Sequence, residues 1–113
     1  MNTLFILNDA PYGTERSYNA LLLARALAKE PGQSVRVFLM GDAVACARAG
    51  QKVPEGYYNA GDMVRMVGGE VGLCGTCMDA RGLGEDHVVD GARRSTLKEL
   101  AEWTAAADKV LVF

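Results

Sequence analysis

The sequence lacks the features of several protein classes. No apolar run approaches the roughly 20 residues that span a bilayer, so no membrane segment is predicted. The net charge is −2, without the basic stripe of a nucleic-acid-binding protein. The first nine residues have no basic segment before their apolar run, which predicts a strand and not a signal peptide. We therefore expect neither a membrane nor a direct nucleic-acid partner.

Cysteine is also scarce. Three cysteines, an odd number without framework spacing, indicate a reducing, cytoplasmic location. A zinc site needs about four ligands, and Cys74-x-x-Cys77 would have to recruit Cys46 or His87 from a distance, so no metal and no cofactor are predicted. The 113 residues are half apolar and can bury a core without such supports, which predicts a single domain over residues 1–113.

Apolar runs alternate with helical patterns along the chain. Strands are predicted at residues 4–7, 35–40, 70–73 and 109–113. Helices are predicted at residues 15–29, 43–49, 59–67, 76–80 and 95–107. Thr14 and Asp42 are predicted to cap the first two helices, and residues 83–94 give no clear prediction. The alternation predicts an α/β fold with a parallel sheet that has helices on both faces.

In a parallel sheet the reactive edge lies beyond the carboxyl ends of the strands. We expect the loop at residues 9–13, the turn at Gly41-Asp42 and the loop at residues 74–77 to meet there. The segment from Pro11 to Thr14 lacks the lysine and glycine spacing of a P-loop, so it is interpreted as a capped turn that forms part of the wall of the site.

Cys74 is the main candidate for chemistry. A thiol acts as a nucleophile only as a thiolate, and a strand end followed by a helix start, with free N–H groups and a nearby cation, lowers a cysteine pKa from about 8.5. The N–H groups of Gly75, Thr76 and Cys77 and the charge of Arg81 are predicted to supply this setting. The alternative is a small buried residue that closes a strand.

The other cysteines have competing interpretations. Cys77 could resolve an oxidised or persulfidated Cys74, or it could point into the core as a small apolar residue. Cys46 stands in an alanine-rich helical segment and is interpreted as a core residue. Arg93 and Arg94 are interpreted as solvated charge near a helix start; if functional, they would attract an acidic partner or an anion.

A thioredoxin-type redox protein would also carry a Cys-x-x-Cys motif. In that fold the motif opens a long helix and a later cis-proline faces it. Here Gly82 ends the helix soon after Cys77, and all three prolines precede the cysteines. The thioredoxin fold is therefore not predicted, and dithiol chemistry on another fold stays open.

Taken together, the order and spacing of these segments resemble the DsrE/DsrF-like sulfur-relay family, close to its DsrE and TusD branch. The resemblance runs from residues 10–14 and the helix at 20–27, through residues 37–42 and Cys74, to residues 100–113. In the family's sulfur carriers, the cysteine that holds a persulfide stands at a strand end, a few residues before an Arg-Gly pair. Cys74 matches that position because Arg81-Gly82 follows it, whereas Cys77 falls within the short helix.

The resemblance implies a three-layer α/β/α (DsrEFH-like) fold with a mostly parallel sheet of about five strands. It implies a sulfurtransferase-like persulfide carrier at Cys74 that passes sulfur between donor and acceptor proteins, as a trimer, a hexamer or a hetero-complex with related subunits. Asp9, Tyr12, Gly13 and Asp42 would shape the cleft. The alternative is a non-catalytic dithiol redox switch or a small-ligand binding module on the same fold.

Overall fold

Five strands and four α-helices alternate along residues 1–113, all of which the computed structural model describes. The strands are β1 (Asn2–Leu7), β2 (Ser34–Leu39), β3 (Glu70–Cys74), β4 (Ala92–Ser95) and β5 (Lys109–Val112). The helices are α1 (Arg16–Ala28), α2 (Ala60–Arg65), α3 (Gly75–Ala80) and α4 (Leu97–Ala106). Two 3₁₀ helices cover Gly41–Ala47 and Glu85–His87. No helix is both long enough and apolar enough to cross a membrane.

The sheet has the strand order β4-β3-β2-β1-β5, and every strand pair in it is parallel. The predicted α/β fold with its parallel sheet is therefore confirmed. Residues 83–94, which gave no clear prediction, contain the second 3₁₀ helix and most of β4. Cys74 lies at the carboxyl end of β3, and its partner in β4 is Ser95.

Alternate residues of the strands form two apolar groups on opposite faces of the sheet. The larger group contains Phe5, Val37 and Leu73, and it packs with side chains of α1, α2, α3 and the first 3₁₀ helix. The smaller group, which we call the α4-side core, consists of Leu4, Phe38, Cys74, Leu100 and Trp103. The chain thus forms three layers, and Cys74 lies on the face that α4 covers.

Two predicted helix caps are wrong. Thr14 does not cap α1, because its hydroxyl lies 3.1 Å from the carboxylate of Asp9 and Glu15 occupies the cap position. Asp42 does not cap the next helix either. That helix is of the 3₁₀ type and begins at Gly41, so Asp42 lies inside its first turn. At α4 the cap is Thr96, whose hydroxyl accepts a hydrogen bond from the Glu99 N–H at 3.1 Å.

Candidate functional site around Cys74

Cys74 lies between a buried strand and a short helix. It ends β3, and α3 begins at the next residue. Its side chain packs within the α4-side core and is only about 9% exposed. The sulfur is therefore mostly withdrawn from water, and what it can react with depends on the space beside it.

That space is a cavity of about 440 Å³ at the carboxyl edge of the sheet. The start of α3 forms one wall, and the end of β4 with the start of α4 forms another. Leu97 is a largely exposed apolar side chain in this lining. We call this space the Cys74 cavity, and its lining residues are Met40, Cys74, Gly75, Thr76, Cys77, Arg94, Ser95, Thr96 and Leu97.

The ionisation of Cys74 differs from the sequence-based expectation. Burial raises the pKa of the Cys74 thiol, and the neighbouring Cys77 side chain raises it further. The N–H groups of Cys77 and Thr76 favour the thiolate and act in the opposite direction. The predicted lowering of the Cys74 pKa is therefore wrong for the free protein, because the loss of solvation outweighs the two N–H groups.

Cys77 lies one turn into α3 and also lines the Cys74 cavity. It is half-buried, and its sulfur accepts a hydrogen bond from the Gly41 N–H at 3.2 Å. Both thiols are free. Cys77 thus contacts the apolar group that contains Cys74 while it faces the cavity, so the two sulfurs are neighbours in one site.

Cys46 is remote from this chemistry. It is completely buried in the larger core, in agreement with its interpretation as a core residue. Burial raises the pKa of the Cys46 thiol from 9.0 to about 11. Its thiolate is therefore scarce at neutral pH, and the third cysteine is not a candidate nucleophile.

Arg81 and Asp42 form an ion pair next to Cys77. The Nε and Nη2 atoms of Arg81 donate to Asp42 Oδ1 at 3.0 and 2.9 Å. Its Nη1 atom donates to the Cys77 carbonyl oxygen at 3.2 Å. Neither side chain lines the Cys74 cavity. They join the end of α3 to the first 3₁₀ helix, and so they hold the cysteine-bearing helix in place.

Asp9, Tyr12 and Gly13, which were expected to shape the cleft, do not line the Cys74 cavity. The loop after β1 leads to α1, which covers the opposite face of the sheet from α4. The Tyr12 hydroxyl bonds to the Gln51 side chain and accepts from the Ala60 N–H at 3.1 Å. The Asp9 carbonyl accepts from the Ser17 hydroxyl at 2.7 Å. Gly13 has a positive φ of 101° and supplies a turn.

Arg94, interpreted from the sequence as solvated charge near a helix start, lines the Cys74 cavity instead. Its Nη1 and Nη2 atoms donate to the two carboxylate oxygens of Asp79, at 2.8 and 2.9 Å. This pairing lowers the pKa of Asp79 and raises that of Arg94. The guanidinium also lies over Gly75, where a Cβ would come within 2.8 Å of Nε. Gly75 is therefore the residue that lets Arg94 reach the cavity.

The chemistry available here is that of two thiols beside a guanidinium. Nowhere in residues 1–113 do three or more His, Cys, Asp or Glu side chains gather in a way that could hold a metal ion. A buried sulfur that borders a cavity, with N–H groups at its side, can act as a nucleophile towards a sulfur atom brought into that cavity.

Comparison with known proteins finds a family model and relatives that match nearly the whole chain. A family model described as DsrE/DsrF-like matches residues 1–113. The protein YchN of Escherichia coli K12 is 45% identical over 97% of both chains. Its crystal structure covers 99% of this chain and 98% of its own, with a TM-score of 0.92. An uncharacterised protein of Methanopyrus kandleri, MK0008, is 36% identical over 96% of this chain and 90% of its own.

Proposed function

The chain belongs to the DsrE/DsrF-like family, and from this premise we propose that it is a sulfur-relay protein that carries a persulfide on Cys74. The observation that supports the proposal most directly is the position of Cys74. It stands at the carboxyl end of β3, beside a cavity of about 440 Å³, and α3 begins at the next residue. This is the place in a parallel α/β sheet where reactive groups are found.

The transfer step needs only two thiols and one sulfane sulfur. The Cys74 thiolate attacks the outer sulfur of a donor persulfide, and a new S–S bond forms at Cys74. The donor's S–S bond breaks, and its inner sulfur leaves with the bonding electron pair and takes up a proton. An acceptor thiolate then attacks the outer sulfur on Cys74 in the same way, which releases the Cys74 thiolate.

The surroundings of Cys74 favour a carrier over a freely reactive thiol. Burial raises the pKa of Cys74, so that most of the thiol is protonated at neutral pH and reaction proceeds through a small thiolate fraction. The N–H groups of Cys77 and Thr76 stabilise that fraction and the anionic persulfide that replaces it. Low exposure also restricts the access of unrelated thiols to a bound sulfur.

Intact-mass spectrometry tests the proposal. The protein is incubated with a cysteine desulfurase and cysteine, and its mass is then measured without reductant. We expect the wild type to gain the mass of one sulfur atom. The gain should be lost in Cys74→Ser and kept in Cys77→Ser, which is the matched control because Cys77 lines the same cavity.

Absence of any added sulfur on the wild type would contradict the carrier function. So would a gain that persists in Cys74→Ser and disappears in Cys77→Ser, because the sulfur would then reside on the other thiol. Circular dichroism of both variants shows whether each one is folded before its mass is interpreted.

The neighbouring sulfurs support a second candidate function, a dithiol redox switch. Cys77 lines the same cavity as Cys74 and packs against the apolar group that contains it. A peroxide or a disulfide compound that removes two electrons from the pair would join the two sulfurs in a disulfide. A stable Cys74–Cys77 disulfide after mild oxidation, with no persulfide formed by the desulfurase, would favour the switch. If mild oxidation forms no disulfide and the desulfurase adds sulfur to Cys74, the relay is favoured over the switch.

We further propose that this single domain works in the cytoplasm with sulfur-donor and sulfur-acceptor proteins, and that it assembles with copies of itself as a trimer or hexamer or with related subunits. Exposed apolar side chains support assembly; the larger ones include Leu22, Leu23, Val110 and Val112. Light scattering that shows a monomer at all concentrations would contradict self-assembly.

A further inference from the structure

The guanidinium of Arg94 is the cation that reaches the lining of the Cys74 cavity. It comes from the end of β4 and extends over the first residue of α3. Gly75 makes this approach possible, since an added Cβ would lie 2.8 to 2.9 Å from Nε, Cζ and Nη2 of Arg94. The closeness of Arg94 to Gly75 brings a permanent positive charge next to the residue that follows Cys74.

Asp79 binds the same guanidinium. Its two carboxylate oxygens accept from Nη1 and Nη2 of Arg94 at 2.8 and 2.9 Å. Asp79 stands on α3, so the pair joins β4 to the helix that begins next to Cys74. The carboxylate fixes the orientation of Arg94 and also neutralises part of its charge.

We propose that Arg94 is the charge partner of the anionic sulfur on Cys74, and that Asp79 is a positioning residue that sets how strongly this charge acts on the sulfur. The inference rests on the proposed function, because the anion is the thiolate or persulfide of the carrier. The persulfide's outer sulfur extends about 2 Å beyond the Cys74 sulfur, so Arg94 is available to it within the cavity.

Few other charged groups oppose this assignment. From α3, Cys77 and Asp79 face the site. Glu99 of α4 is bound by Arg93 and by the Ser95 hydroxyl, and Asp42 is bound by Arg81. The charge of Glu85, in the second 3₁₀ helix, contributes to the raised pKa of Arg94. Each nearby carboxylate except Glu85 thus has a cationic partner, and Arg94 is the cation that lines the Cys74 cavity.

The test measures the rate of iodoacetamide alkylation of Cys74 as a function of pH, in a Cys77→Ser background where Cys46 stays buried. Arg94→Met removes the charge, and Asp79→Asn keeps Arg94 but removes the neutralising carboxylate. We expect Arg94→Met to slow alkylation at neutral pH by about threefold to tenfold, and Asp79→Asn to accelerate it by a similar factor. Arg94→Lys should restore part of the rate.

Arg93→Met is the matched control, because it removes the same charge from the neighbouring residue. Arg93 is bound to Glu99 and Glu70 and does not line the Cys74 cavity. Gly75→Ala is a second variant that displaces Arg94 without removing any charge, and it should slow alkylation as Arg94→Met does. Changes of the same sign in Arg94→Met and Asp79→Asn, or equal changes in Arg93→Met, would overturn the assignment.

Desulfurase loading of the same variants separates this inference from the carrier function. Opposite changes in alkylation without any sulfur on the wild type would overturn the carrier function and support the role of Arg94 towards the thiolate. Sulfur on Cys74 of the wild type, with alkylation rates unchanged in both charge variants, would support the carrier function and overturn the role of Arg94.

Discussion

Arg81 connects the end of α3 to the first 3₁₀ helix by donating two hydrogen bonds to Asp42 Oδ1, at 3.0 and 2.9 Å. It donates a third to the Cys77 carbonyl. The pair is solvent-exposed, with 36% of the Arg81 and 69% of the Asp42 side chain accessible. Its main effect is therefore on the position of α3 and less on the stability of the fold.

Asp42→Ala should change stability little and sulfur transfer more. An exposed ion pair contributes about 0–1 kcal/mol to the free energy of unfolding, and we expect a loss in that range. Because α3 loses its attachment to the first 3₁₀ helix, the rate of sulfur loading on Cys74 should fall severalfold. Urea unfolding and desulfurase loading of the same preparation measure the two effects. A large loss of stability with normal loading would contradict this role.

The raised pKa of Cys46 predicts a loss of stability at alkaline pH. The folded state holds the Cys46 proton until about pH 11, whereas the unfolded state releases it near 9.0. The stabilisation is complete below pH 9.0 and is lost as the pH rises towards 11. Its upper bound is about 2.7 kcal/mol, from a shift of roughly two units. Unfolding at several pH values should show this decline in the wild type, and Cys46→Ala should show less of it.

Cys46→Ala also tests whether the third cysteine takes part in sulfur transfer. Desulfurase loading of this variant should equal that of the wild type, because Cys46 is completely buried in the larger core. A folded Cys46→Ala protein that gains no sulfur would show that the buried thiol takes part in transfer.

Trp103 is the only tryptophan and lies in the same apolar group as Cys74. The guanidinium carbons of Arg36 and Arg93 lie 5.1 and 5.6 Å from the centre of its ring. We expect Trp103→Ala to cost about 3–5 kcal/mol, because it removes a large buried side chain. Leu97→Ala, at a largely exposed position, should change stability by about 0.5 kcal/mol or less. Equal losses in the two variants would contradict the packing described for α4.

The sequence predicted the parallel sheet because four of its strands contain apolar runs. β4 was not predicted, since Ala92-Arg93-Arg94-Ser95 is a polar edge strand with no such run. The position of Arg94 depends on β4 and could not be found without it. Two arginines directly before a helix start were the signal available in the sequence.

The rule that the loops at one edge of a parallel sheet form one site did not identify all residues of this site correctly. Asp9 follows β1 and Cys74 ends β3 of the same sheet, yet the loop after β1 turns to the face opposite α4. The order of strands and helices in the sequence does not state which face each connection takes. The pKa of Cys74 was mispredicted for a related reason, because the α4 side chains that bury it come from a distant part of the chain.

Peptide mapping of the sulfur-loaded protein shows which cysteine carries the added sulfur. The wild type is loaded by a cysteine desulfurase, its thiols and persulfides are alkylated, and the peptide that contains residues 74 and 77 is sequenced by tandem mass spectrometry. We expect the added sulfur on Cys74, with Cys77 alkylated as an ordinary thiol. Sulfur on Cys77 alone, or a loaded peptide that is never detected, would contradict it.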